Sequence, residues 1–195
     1  MKQHIPGFFA SLWQSPALVY LTALFVCGAV AGSFTGLLAA SGGADFTGLS
    51  GALGARAAEL PDGMDALRAA LGAFGWQAAA LAAGWLRPAS LFLSLLCTVR
   101  GFTLSFSVAA LLHALGTEGL WRSLAATGAS AVVTVPCLLL TAAACFAAAQ
   151  DAPHGRAYFY ALRRWRGAVL GCTLAAMWAG VLQLPFGWMV ERWIL

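Results

Sequence analysis

Few side chains in this chain are equipped for chemistry. Its histidines are His4, His113 and His154, its acids number seven, and one of its arginines, Arg100, sits within an apolar run. A catalytic site needs such groups to converge on one reacting atom. No acid lies at helical spacing from His113 within its own apolar run. A serine nucleophile at Ser130, in Gly128-Ala129-Ser130, needs a histidine base on a later element, and His154 alone follows it, inside a basic segment. There is no glycine-rich phosphate loop and no run with metal-ligand spacing. Cys27, Cys97, Cys137, Cys145 and Cys172 all lie in apolar runs without a C-x-x-C pair, and read as small packing residues. The expectation is a chain that catalyses nothing and needs no cofactor and no metal.

The elements around these residues are built for lipid. Of 195 residues, 61% are apolar and 9% charged, with a mean hydropathy of +0.81. Soluble domains carry roughly a quarter charged residues. One lysine and ten arginines against seven acids are too few and too scattered for a nucleic-acid surface. The reading is an all-α, polytopic membrane helical bundle in one integral membrane domain over residues 1–195, with five transmembrane helices and a short N-terminal interfacial helix.

Residues 1–16 place Ile5, Phe8, Phe9, Leu12 and Trp13 on one helical face, as a docking helix or as a lead-in that anchors the first span. The first span covers 17–40. Gly28, Gly32, Gly36 and Ala40 recur along it every fourth position, a small-residue stripe that admits a close neighbour from this chain or from a partner. Ala29-Val30-Ala31 has the pattern of a signal-peptidase site, but the apolar run continues past it. Residues 41–68 form an external segment, with a short helix expected near Met64–Leu71 and Asp62 at its start.

The second span covers 69–86 and the third 89–115. Two solutions remain between them: a turn at Arg87-Pro88, which leaves Arg100 inside a long third span, or a turn at Arg100-Gly101, which makes Arg87-Pro88 a kink. The preference of proline for the first helical position favours the first solution. A turn at Gly116–Arg122, with Gly119 inside it, leads to a fourth span over 123–150. Pro136 interrupts that span and frees a carbonyl for Thr134 or a neighbouring helix to satisfy. Residues 151–166 carry Arg156, Arg163, Arg164 and Arg166 among aromatics and read as a basic cytoplasmic loop against anionic headgroups. The last span covers 167–190, with Gly167, Gly171, Ala175 and Ala179 at every fourth position.

Five crossings put the ends on opposite sides. With the basic loop inside, the N-terminus is cytoplasmic and the C-terminus external. Lys2, Arg87 and the four loop arginines are then inside, and Arg56, Arg68, Arg122 and Arg192 outside. Arg100 has two readings: a structural one, snorkelling or donating to carbonyls freed near Gly101, and a functional one, a polar contact with a partner or a lipid headgroup.

The run from Arg100 to Val108 (RGFTLSFSV, with Gly101, Phe102 and Phe106), Leu115-Gly116 and Gly119-Leu120 around the turn, and Val135-Pro136 in the next span resemble the stage II sporulation protein M family. Gly28 to Ser33 (GAVAGS) is similar to the glycine motif of that family's first span. The likeness extends over most of the chain and is specific over 99–140. Ser105 stands where the family often has glycine, and Ala129-Ser130-Ala131 where it often has Pro-Gln-Asn. The resemblance implies a five-span scaffold of the cell membrane. In endospore formers it would gather at the division septum and recruit peptidoglycan hydrolases, the stage II sporulation proteins P and D, during engulfment. Membrane lipid and these hydrolases are then the expected partners, with no nucleic acid. A transporter subunit partnered with a separate ATPase is the alternative, with 151–166 as its coupling surface and a pore lined by Arg100 and Thr134.

Overall fold

The computed structural model describes residues 15–42, 62–124, 128–151 and 156–193. The described residues form seven helices: α1 (Pro16–Ser41), α2 (Gly63–Trp85), α3 (Ala89–Leu115), α4 (Thr117–Ser123), α5 (Ala129–Asp151), α6 (Arg156–Arg163) and α7 (Arg166–Trp193). There is no strand among the described residues. Four helices are long and apolar enough to cross a membrane: α1, α3, α5 and α7. α2 is 23 residues long, but its alanine- and glycine-rich sequence, with Asp65, Arg68 and Gln77, leaves it less apolar.

The turn between the second and third long helices is Arg87-Pro88, and Arg100 lies inside the 27-residue α3. The short helix expected near 64–71 is not separate, because α2 runs unbroken from Gly63 through the second apolar stretch. Asp62 precedes it with extended backbone and donates its N–H to Asp65 Oδ2 at 3.4 Å. The fourth stretch departs from expectation at its start. Gly116, at φ +59°, turns the chain into the short α4, and α5 begins only at Ala129. A positive φ is open to glycine without a Cβ penalty. The expected N-terminal interfacial helix lies outside the described residues.

α1 and α3 run parallel, because Gly28, Gly32 and Gly36 meet successively later positions of α3 around Thr98, Phe102 and Ala109. α2 runs the other way, bringing Ala69 to Gly180 of α7 at one end and Leu81 to Tyr158 of α6 at the other. The centre, where α1, α2, α3 and α5 meet, is filled by Leu21, Ala80, Leu93, Cys97, Leu138 and Ala142, all fully buried or nearly so. Cys97, Cys137, Cys145 and Cys172 are buried as expected, whereas Cys27 is exposed on α1.

One end of the bundle collects the start of α1, the Arg87-Pro88 turn, the end of α5 and the whole of α6. Ser94 Oγ donates to the Tyr20 hydroxyl at 3.2 Å, and Tyr20 meets Phe146 with ring centroids 6.4 Å apart. α6 is strongly amphipathic and docks through Tyr158, only 2% exposed. Its hydroxyl donates to the Leu81 carbonyl at 3.3 Å and lies over Gly84, where an added Cβ would also meet Cys145 Cβ at 2.8 Å. Phe159 seals the edge against Trp85, ring centroids 6.3 Å apart.

Burial, with the Cys145 thiol beside it, pushes the Tyr158 phenol well above the usual tyrosine range. The unfolded chain loses this proton near pH 10 and the folded chain at higher pH. The neutral phenol's contribution to stability is therefore complete below pH 10 and lost as pH rises through the folded value. Absorbance titration at 295 nm should show a late tyrosine component, ionising above pH 10, that belongs to Tyr158. Tyr158→Phe should remove that late component and flatten the loss of stability above pH 10.

Candidate functional site

The residues singled out in the sequence divide into three places. Gly28, Gly32, Gly36, Gly101, Phe102 and Phe106 come together along one seam between α1 and α3. A Cβ built on Gly28 would strike the Thr98 carbonyl, one on Gly32 the Phe102 carbonyl, and one on Gly101 the Phe25 carbonyl. At Gly36 the clash is with Ala109 Cβ, at 2.9 Å, and the Phe106 carbonyl oxygen, at 3.1 Å. The two backbones thus touch directly, with glycine on both sides. Close approach of this kind lets dispersion bind helices in lipid, where burial of apolar surface brings little gain.

Ser105 lies on the same seam. Its Oγ donates across it to the Ala29 carbonyl at 2.5 Å, and also sits 3.1 Å from the Gly101 carbonyl. Phe102 stacks on Phe106 at 5.9 Å with 13° between the rings. Gly116 and Gly119 stand beyond the seam's far end, where α4 folds back on α3 and a Cβ on Gly119 would strike the Leu111 carbonyl. Pro136 is apart from both places, exposed on α5. The Thr134 hydroxyl next to it is buried without a hydrogen-bond partner, so Thr134 does not satisfy the backbone that Pro136 disturbs.

Arg100 lies eleven residues into α3, about 16 Å along the helix from its start. That depth is near the middle of a hydrocarbon core about 30 Å thick. Its guanidinium carbon lies 4.6 Å from the centre of the Trp76 ring on α2. It makes no hydrogen bond and no ion pair with another described residue. The expectation that it donates to carbonyls freed near Gly101 is therefore not met; α3 continues through Gly101 and the cation rests on an aromatic face.

Two residues escaped the sequence reading. Gln183, within the last apolar stretch, is 8% exposed; its Oε1 accepts the Ser130 N–H at 2.5 Å and its Nε2 donates to the Leu124 carbonyl at 3.3 Å. One side chain of α7 thereby bridges the backbone on both sides of the break between α4 and α5. Ser130 serves here as a helix-start amide, which suits packing better than nucleophilic chemistry. Gln77 of α2 is 1% exposed, with Oε1 lacking a partner. An uncharged amide inside an apolar stretch was the available signal for both.

No three His, Cys, Asp or Glu side chains cluster in metal-binding fashion among the described residues. All-helical in its described residues, with four helices fit to cross a membrane, the chain is a helical membrane protein. Comparison with protein-family models, with curated proteins and with solved structures finds no match.

Two substitutions, one on the α1–α3 seam and one at the Arg100–Trp76 contact, should move stability in opposite directions. Gly32→Leu forces the backbones apart and should lower the unfolding free energy in mild detergent by about 1–3 kcal/mol or more. Arg100→Met removes a mid-membrane charge that costs about 2.5–3.5 kcal/mol and forfeits a ring contact worth about 2. It should raise stability by about 1 kcal/mol on balance. Denaturant titration followed by circular dichroism measures both. A marked loss on Arg100→Met would show that the guanidinium holds the fold.

Proposed function

We propose that the chain is a five-pass, non-catalytic membrane scaffold of the stage II sporulation protein M kind, recruiting peptidoglycan hydrolases at the septal membrane. The observation that carries this reading is the α1–α3 seam. Two of the segments that carry the resemblance, Gly28–Ser33 and Arg100–Val108, are distant in sequence and packed on each other. A filled centre also favours a scaffold over a transporter subunit with an open path along Arg100 and Thr134.

The parallel course of α1 and α3 supports the fifth crossing. A chain that runs twice in one direction must return between, and α2, about 34 Å long, is the long described helix available. Arg87, Arg163, Arg164 and Arg166 share the end where α1 begins, which favours the cytoplasm for that end. Alkaline phosphatase fused after Leu195 should then be active, and the same fusion at His154 inactive; the reverse pair, or two equal activities, overturns the arrangement.

Recruitment is tested by affinity capture of the tagged full chain, in mild detergent, from source cells entering sporulation. A hydrolase of the stage II sporulation P or D type should co-purify. Replacing residues 43–61 by a neutral linker of equal length should abolish it. Recovery of an ATPase with no hydrolase would overturn the scaffold in favour of the transporter subunit.

A further inference from the structure

At the end of the bundle that holds α6, a groove of about 390 Å³ opens between α2, α6 and α7. Leu81, Phe159, Val169 and Leu170 give it apolar walls, and Arg163 and Arg166 stand at its rim. Both arginines are exposed, and neither makes a hydrogen bond or ion pair with another described residue. Leu170 and Phe159 remain 62% and 57% exposed, so one flank is open. The volume is that of a small-molecule site, and its polar side chains are the two arginines and Tyr160.

We propose that this groove is a binding site for one anionic phospholipid. Its phosphate is held by Arg163 and Arg166, and a segment of one acyl chain lies along Leu81, Val169 and Leu170. The arrangement matches the lipid in two respects. α6 is amphipathic and lies at an end of the long helices, the level of the headgroups. Two unpaired guanidiniums beside an apolar slot meet a phosphate where its chains begin, and arginine suits phosphate through its forked donors. Bound there, the lipid joins α7 to α2 and α6, the two elements that Tyr158 and Phe159 tie to each other. The site is independent of the scaffold reading, since it needs only a membrane.

Native mass spectrometry of the full chain in detergent tests it, with dioleoyl phosphatidylglycerol and dioleoyl phosphatidylcholine as probes. One phosphatidylglycerol should be retained at least tenfold more tightly than phosphatidylcholine. The pair Arg163→Gln and Arg166→Gln should weaken retention about 30-fold, two cations near a headgroup being worth that much together. Arg68→Gln with Arg192→Gln removes the same charge at the opposite end and should change nothing. Leu170→Trp, which fills the slot and keeps both cations, should weaken retention at least tenfold. Equal binding of the two lipids, equal losses for the two arginine pairs, or displacement of the lipid by glycerol phosphate at matched concentration would each overturn the proposal.

Discussion

Direct backbone contact between α1 and α3 is the constraint from which the rest of the bundle follows. Lipid offers helices no gain from burying apolar side chains, because the tails are equally apolar. What remains is close approach, and glycine is the residue that permits it. Gly28, Gly32 and Gly36 supply it from α1 and Gly101 from α3, so each helix receives the other's carbonyls. Ser105 then adds a hydrogen bond to Ala29 across a gap too narrow for larger side chains. Because the pair is parallel, the chain between them has to run back, and α2 is placed against α3, α5 and α7 by that need.

Within such a bundle every polar group needs a partner from the protein. Gln183 meets this demand between α4 and α5, accepting from Ser130 and donating to Leu124 at once. Tyr158 does the same at the other end, its hydroxyl over Gly84 and bonded to Leu81. Gln77 Oε1, Thr134 Oγ1 and Thr141 Oγ1 stand without hydrogen-bond partners among the described residues. A buried oxygen left unpaired costs about 1–3 kcal/mol, so these three positions are where the bundle is least settled.

The sequence exposed the helical class, the span limits of α1 and α3, and the turn at Arg87-Pro88, because length, charge gaps and proline speak for themselves. The small-residue stripe on α1 was legible as a close-packing face; that it meets Gly101 of α3 was not. The stripe on α7 is covered in part, Ala175 and Ala179 packing within the bundle. Gly167 and Gly171 face open space, while Gly180, one position beyond Ala179, takes the close contact, its Cβ position 3.0 Å from the Ala69 carbonyl. Periodicity marks a face and does not say what covers it. The late start of α5 was hidden because Ser123 to Gln150 carries no charge to mark it. The role of Gln183 was hidden because nothing in sequence ties a residue to backbone more than fifty positions away.

α2 shows how packing contacts lower the hydropathy of a helix. Its buried face is Ala70, Gln77, Ala80, Ala83 and Gly84, residues that contribute little apolar area and let neighbours come near. Ala69 reaches Gly180, Gly84 admits Tyr158, and Trp76 carries the Arg100 cation. A helix chosen for such contacts scores as less apolar than one chosen for lipid, even where it is equally enclosed. Its exposed residues, Leu67, Leu71, Phe74 and Trp85, are still of the kind that lipid tolerates. Arg100 makes the same point from α3: its guanidinium rests on the Trp76 ring, a contact that α2 supplies although it is not among the four helices apolar enough to cross a membrane.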